Sequence, residues 1–433
     1  MDKFIIKGGK PLEGTIEISG AKNSILALML CSILTDEDII LDNVPYLTDV
    51  VTMYELLKNF GINIVAKNNN IEENIKASLA DKLQLKLNSS NIRNFHAPYD
   101  IAKKMRASFW VLGPLLARFG QAEVSLPGGC AIGTRQIDLH LDTLRLMGAD
   151  LIIKDGYITG SVKGKFKAIH YTFDKVSVGA TINAIMSACL ADGESVFINC
   201  AHEPEIVDLC HLLVKMGAHI EGIGTSRVVI NGVNKLTGAV HQTIPDRIEI
   251  GTYIAAVGLT SGKITLNNVD HNIIENLNDK FTEAGLKIIK SSDHSITITS
   301  DGIIKPVNIQ TMPYPGFPTD MQAQFMALMC VADGVSSIAE NMFENRFMHI
   351  PELQRMGADI SICHNLATVK GIPKFKGANV MATDLRASVC LVLAGLASEG
   401  TTIIDRIYHI DRGYCRIEKK LSGCGAIIER VSA

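Results

Sequence analysis

No run of this chain is apolar for long enough to cross a bilayer, no block of like charge stands out, and no cysteine or histidine pair is spaced for a metal. The longest predominantly apolar stretches, such as Ile25 to Leu34, are about half of the roughly 20 residues that a membrane helix needs. Lys and Arg total 42 against 45 Asp and Glu, a formal net charge of -3. That balance argues against a nucleic-acid or membrane-surface partner, although clustered cations can still bind small anions. The ten cysteines include no C-x-x-C pair, and the twelve histidines include neither H-E-x-x-H nor a Cys/His cluster. Disulfide and zinc frameworks are therefore disfavoured and a reducing compartment is favoured. Met1 to Lys10 carries no apolar signal core. The expectation is a soluble, cytoplasmic protein without a metal.

What the chain does have is bulk. Its 433 residues, 47% of them apolar, exceed what one hydrophobic core normally serves, so two domains are expected. A local feature draws attention first. The apolar run Gln121 to Leu126 stops at Pro127, and Gly128-Gly129-Cys130-Ala131-Ile132-Gly133-Thr134-Arg135 follows. Cysteine is usually a small core residue, but a glycine-rich loop carrying a nearby cation is where thiols become reactive.

The chain also repeats. Short blocks that end a helix and open a strand recur at Leu57–Gly61, Leu144–Gly148, Leu213–Gly217, Phe281–Gly285, Leu353–Gly357 and Leu421–Gly425, with the glycines 87, 69, 68, 72 and 68 residues apart. Each glycine stands where a helix C-terminus favours a left-handed residue, ahead of an alternating strand such as Ala149 to Ile153. Each unit opens with a helix that is apolar nearly all round: Lys22 to Leu34, Met105 to Ala117, Gly179 to Ala191, Ile250 to Thr260, Met321 to Val331 and Leu385 to Ala397. A helix without a polar face must be buried, so central helices with sheets outside are expected. The wider first spacing comes from Lys67 to Asn94, rich in Asn, Lys and Ser, which reads as a mostly exposed loop or hairpin. Six units divide into two domains of three, with a seam near Val240 to Asp246, where Pro245 interrupts the pattern.

The mouths of the buried helices carry Lys22-Asn23, Lys104-Met105-Arg106, Arg247, Pro318-Thr319-Asp320 and Asp384-Leu385-Arg386. Cations beside unpaired helical N–H groups are unfavourable alone. Lys22, Arg106, Arg135 and Arg386 at similar places therefore point to a phosphate or carboxylate site.

With the strings Gly20-Ala21-Lys22-Asn23, Met105-Arg106-Ala107-Ser108, Leu126-Pro127-Gly128-Gly129-Cys130, Phe317-Pro318-Thr319-Asp320, Glu344-Asn345-Arg346-Phe347-Met348-His349, Thr383-Asp384-Leu385-Arg386-Ala387-Ser388 and Asp411-Arg412-Gly413, the chain resembles the enolpyruvyl transferases. The likeness is to the branch that acts on UDP-N-acetylglucosamine, and it runs from about Phe4 to Arg430 with the Lys67 to Asn94 segment as its one departure. The resemblance implies an inverse α/β prism of six repeated α/β units: two threefold domains with buried helices and outer sheets, clasping substrate between them. Residues 22–243 would form the first domain, and residues 1–21 with 244–433 the second.

It also implies a reaction without a redox cofactor or metal, in which phosphoenolpyruvate and the nucleotide sugar are the partners and phosphate leaves. Cys130 would protonate C3 of phosphoenolpyruvate and could attack C2 covalently. Asp320 would be the base for the sugar hydroxyl, its alternative being an ordinary helix N-cap. Lys22, Arg135 and Arg412 would hold phosphate, with Arg346 and Arg386 near the phosphoenolpyruvate carboxylate or the closing surface. Asn23 and Asp320 would touch the sugar, with Arg106 nearby. Arg135, Gln136, Ile137, Asp138 and Leu139 would line the uridine pocket. Lys175, Val176, Ser177, Val178 and Gly179 would offer a loop and helix mouth for the diphosphate, and Met342 a backbone contact. His140, in an apolar run, reads more readily as a satisfied core residue than as a ligand. Two rival readings are the sister transferase acting on shikimate 3-phosphate and a noncatalytic scaffold or sensor. A scaffold has no use for a thiol, a carboxylate and five cations in these positions.

Overall fold

A computed structural model describes residues 2–66, 83–127 and 137–432 of the chain. The contacts divide it into two compact units, separated between Ser19 and Gly20 and again between Ile244 and Pro245. Residues 2–19 thus join the later unit. Phe4 and Ile6, both fully buried, explain why: their strand, Lys3–Lys7, lies between Thr401–Asp405 and Ile427–Val431, and Glu13–Glu17 pairs in parallel with Lys263–Asn267. Within its own unit each crossing point is tied down. Ile244 N donates to Asp208 Oδ2 at 3.3 Å, and Lys420 Nζ donates to Ser19 Oγ at 2.7 Å and Glu249 Oε1 at 2.9 Å.

Among the described residues, each unit carries three four-stranded sheets of one design. In Tyr157–Val162 and its neighbours the order is one parallel pair, His96–Ala97 with Gln121–Ser125, followed by two antiparallel pairs that end on Ala149–Lys154. The sheets at Glu194–Ile198, Asp38–Val44, Lys263–Asn267, Val335–Ala339 and Thr401–Asp405 repeat that order. In the last of these the N-terminal strand takes the place that a hairpin strand fills elsewhere. The six block glycines, 61, 148, 217, 285, 357 and 425, all adopt φ between +90° and +105°, the left-handed geometry that lets the chain leave a helix and re-enter a strand.

The apolar helices lie inside, as their lack of a polar face requires. In the later unit every residue of Arg247–Thr260, Gln322–Met329 and Val389–Leu396 is buried, and the three pack against one another. In the earlier unit Lys22–Leu30, Leu112–Phe119 and Val178–Ala188 play this part. Leu112–Phe119 and Val178–Ala188 cross so closely that a Cβ on Gly113 would stand 2.6 Å from Ser187 Oγ and 2.7 Å from Asn183 Oδ1, so only glycine fits there. Several mouths are tighter than expected: Arg106–Val111 and Thr319–Met321 are 3₁₀ turns, and the last inner helix begins at Val389 rather than Leu385.

One expectation needs correction in part: the antiparallel pairing of Asn63–Ala66 with Leu83–Asn88 answers to the hairpin reading of Lys67 to Asn94, but Leu83–Asn88 is not mostly exposed. Of the Lys67 to Asn94 segment, residues 67–82 lie outside the described residues, but Leu83–Asn88 is a strand in the interior of a sheet, between Asp38–Val44 and Asn63–Ala66. Its alternation places Leu85 and Leu87 in the core, a period-two pattern that the polar composition around it obscures. Among the described residues, no helix is long and apolar enough to cross a membrane.

Candidate active site

In the earlier unit the start of Lys22–Leu30 has no side-chain cap and no acidic residue in its first turn. Lys22, the first helical residue, is nonetheless buried, and its Nζ lies 2.8 Å from Asp49 Oδ2. Asp49 belongs to the first turn of Thr48–Phe60, so this helix supplies the anion that the mouth of its neighbour lacks. Ser24, two residues further, donates to Asp208, which also pairs with His241 Nε2 at 2.7 Å. Asn23, between these two anchored residues, is half-buried.

Arg106 opens its 3₁₀ turn half-buried. Beside it His140 is buried, and burial, followed by the nearby Arg106 charge, pulls its pKa down to about 3. The ring is therefore neutral at pH 7. Its tautomer follows from its partner: Asn183 Oδ1 accepts from Gly113 N at 3.2 Å, so the Asn183 amide N–H faces His140 Nδ1 at 2.9 Å, and the ring proton sits on Nε2. Nε2 and the indole Nε1 of Trp110 both crowd Gly179, where a Cβ would be 2.7 Å from the Trp110 nitrogen and 3.2 Å from that of His140. Ser177 caps the Val178–Ala188 helix by accepting from Ala180 N at 3.3 Å. Val176, Ser177, Val178 and Gly179 are half-buried and Lys175 is exposed. A helix mouth, a neutral imidazole N–H and an indole N–H thus converge on one glycine, a set of donors suited to anionic or sugar oxygens. Ile137 and Leu139 are half-buried and Asp138 exposed at the start of Asp138–Leu146. Cys130, Arg135 and Gln136 lie outside the described residues.

The later unit is built from charge. Asp320 does not cap its turn, whose N-terminus has no side-chain hydrogen bond. Its Oδ1 accepts instead from Arg346 Nη2 at 2.6 Å, and its Oδ2 lies 3.8 Å from Arg386 Nε. Arg346, only 4% exposed, also donates from Nη1 to Thr319 Oγ1 at 2.9 Å, and its guanidinium lies 5.3 Å from the centre of the Phe343 ring. Arg386 is 2% exposed; Nη2 donates to Asp246 Oδ2 and Nη1 to Gly413 O, both at 3.1 Å. Burial alone would lower its pKa, but Asp246, Tyr414 and Asp320 together hold it well above the usual arginine value. Asp246, Gly413 and Asp320 thus surround the Arg386 guanidinium within its own unit. Asp246 has a second task, accepting from Ile248 N and Glu249 N to cap Arg247–Thr260. Asp384 Oδ1 accepts from Arg386 N and Ala387 N.

Arg412 ends the Ile407–Arg412 turn half-buried. The residues on either side of it are anchored, Gly413 by Arg386 and Asp411 by Arg430, whose Nη1 and Nη2 lie 3.0 and 2.5 Å from the Asp411 carboxylate. Met342, half-buried, donates its N–H to Glu340 Oε1 at 2.9 Å. The expected residues of this unit, Asp320, Arg346 and Arg386, thus form one cluster. Sequence reasoning missed Asp49, Asp246, Glu340 and Thr319. Their partners are set by packing between elements, and only the capping position of Asp246 left a local signal.

The whole chain resembles known proteins. The family model for EPSP synthase (3-phosphoshikimate 1-carboxyvinyltransferase) matches residues 6–421. A UDP-N-acetylglucosamine 1-carboxyvinyltransferase of Rickettsia bellii is 55% identical over 433 residues, covering all of both chains, and one of Rickettsia felis is 54% identical over 431 residues, again with all of both chains covered. Among solved structures, the enolpyruvyl transferase NikO from Streptomyces tendae matches with a TM-score of 0.88 at 23% identity, covering 100% of this chain and 99% of that one. An EPSP synthase from Acinetobacter baumannii matches with a TM-score of 0.73 at 15% identity over the full length of both. These structural likenesses carry the inverse α/β prism; the family model and the Rickettsia relatives carry the lineage, and the chain belongs to the EPSP synthase family of enolpyruvyl transferases.

Proposed function

We infer that this chain transfers the enolpyruvyl group of phosphoenolpyruvate to the 3-hydroxyl of UDP-N-acetylglucosamine with release of phosphate, the step that opens peptidoglycan precursor synthesis. The observation that carries this reading is the full-length identity of 55% to a transferase of that substrate. The sister reaction on shikimate 3-phosphate has less support, since the EPSP synthase structure is only 15% identical.

The addition step joins the sugar oxygen to C2 of phosphoenolpyruvate. Asp320 takes the hydroxyl proton, and its two guanidinium neighbours keep the carboxylate ionised and oriented before the transfer. Cys130 delivers a proton to C3 and, as the alternative, can attack C2 itself. In the elimination step C3 returns a proton, the C2–O bond to phosphate breaks, and phosphate departs with its electron pair. Lys22, Arg135 and Arg412 meet the phosphate, where fixed cations stabilise the charge of the leaving group. Asn23 and Arg106 lie by the sugar, residues 135–139 by uridine, and Lys175 to Gly179 by the diphosphate, with a minor backbone contact from Met342. Arg346 and Arg386 lie near the phosphoenolpyruvate carboxylate or the closing surface, and both also hold Asp320. Nothing is oxidised or reduced, so the reading calls for no redox cofactor, and the side-chain cations take the part a metal could play. Two small soluble substrates and ten cysteines without a disulfide pattern support a cytoplasmic enzyme, with no nucleic acid or membrane in its reaction.

Incubation with phosphoenolpyruvate and UDP-N-acetylglucosamine tests this. Phosphate should appear only when both are present. Release with shikimate 3-phosphate in place of the nucleotide sugar, or with phosphoenolpyruvate alone, would refute it.

A further inference from the structure

Glu340 lies one layer beyond the Asp320 cluster. It is 4% exposed, and it accepts four hydrogen bonds from neutral donors: Thr311 Oγ1 and Thr319 Oγ1, both at 2.8 Å, Met342 N at 2.9 Å and Phe343 N at 3.2 Å. In every one of these contacts Glu340 is the acceptor, as a carboxylate must be. That fact fixes the direction of the bonds leading away from it. A threonine hydroxyl has one proton. Thr319 must give it to Glu340, which leaves an oxygen lone pair facing Arg346 Nη1 at 2.9 Å. Thr311 obeys the same rule, donating to Glu340 and accepting from Asn341 N at 2.9 Å. Arg346, held at one nitrogen by Thr319, presents the other to Asp320 Oδ1 at 2.6 Å.

We propose that Glu340 is a positioning residue for the transfer reaction: through the Thr319 hydroxyl and the Arg346 guanidinium it fixes the orientation and the ionised state of Asp320. The proposal rests on the reading of Asp320 as the base. Among the described residues, Arg346 and Arg386 bear on Asp320, with Asp246 on the other side of Arg386. Near Arg346 lie Asp384 and His349, whose pKa burial pulls down to about 4, so that its ring is neutral at working pH. None of these other groups replaces the hydroxyl that Arg346 uses as its acceptor. Turning that hydroxyl, or removing it, frees Arg346 to swing and weakens the ion pair that favours the charged form of Asp320.

The test uses the full-length protein and follows phosphate release against pH. Thr319→Val keeps the shape of the side chain and removes both bonds; Glu340→Gln removes the charge that orients the hydroxyl. Both variants should lose about tenfold or more in kcat. Their acid limb should move to higher pH by roughly one unit, with KM for UDP-N-acetylglucosamine within about threefold of the parent. Thr319→Ser, which keeps the hydroxyl, should recover the parent profile, a recovery that loss of packing alone does not explain. If Asp320→Asn is inactive while folded Thr319→Val keeps both the rate and the acid limb of the parent, the positioning role is refuted and the base stands. If Asp320→Asn turns over at the parent rate, the base itself is wrong.

Discussion

The two units treat charge in opposite ways. Among the described residues of 20–244 a buried ion pair stands at a helix mouth, Lys22 with Asp49, while the donors that crowd Gly179 are neutral: a helix terminus, an indole and an imidazole whose pKa lies far below 7. Residues 245–432 instead interlock Asp246, Arg386, Asp320 and Arg346, with Glu340 behind Thr319. Neutral donors recognise a ligand without changing their own state. An interlocked set of charges suits proton transfer, because a carboxylate between two guanidiniums is oriented and ionised in advance. On the proposed function, the difference gives recognition to the first unit and hydroxyl activation to the second.

The largest effect that bears on this contrast is expected at Cys130. If the first unit contributes a proton donor besides recognition, Cys130→Ala should lower turnover by about 10²–10⁴-fold, and Cys130→Asp should retain activity, because only a transferable proton is needed. Full activity of the alanine variant in a phosphate-release assay would remove the thiol from the mechanism. Next in size is the buried pair. Asp49→Asn takes the Asp49 carboxylate away from the buried Lys22 ammonium and should cost about 3 kcal/mol in chemical denaturation. Adding Lys22→Met should restore much of that stability but not turnover, which separates the structural from the chemical duty of the lysine. The smallest effect is at His140. Its folded pKa of about 3 lies below the ordinary value, so the unfolded chain binds the extra proton first on acidification. Stability from this group is present above about pH 6.5 and is lost as pH falls toward 3. His140→Gln should flatten that slope by at most about 1.4 kcal/mol per pH unit; an unchanged slope would mean that the ring is not held neutral.

The periodic parts of this architecture are legible in the sequence because their causes are local. A glycine at each helix end and an apolar helix without a polar face are read from a few neighbouring residues, and the six positive φ values and the buried inner helices answer to them. The strand Lys3–Lys7 is different, since its partners near residues 401 and 431 are far away in sequence, and its place followed only from family likeness. Leu83–Asn88 was obscured by the polar residues around it, although its own alternation is clear. At the site, the cations were visible and their carboxylates were not. An unmatched cation at a helix mouth suggests an anionic ligand, yet Asp49 answers Lys22 and Asp246 answers Arg386 inside the protein. Glu340 and Thr319 carry no motif of their own; their roles come from hydrogen-bond direction, which needs coordinates.

The most direct test of the contrast is a crossed pair of variants, with the dissociation constant for UDP-N-acetylglucosamine measured by calorimetry and the single-turnover rate measured at saturation. Gly179→Ala pushes a methyl group against Trp110 and His140, an overpacking of about 1–3 kcal/mol. It should weaken binding about ten- to a hundredfold and spare the saturated rate. Asp320→Asn should do the reverse, keeping the dissociation constant within about tenfold of the parent while the rate falls by about 10²–10⁴-fold. If both variants lose affinity and rate in the same proportion, recognition and hydroxyl activation are not divided between the two units.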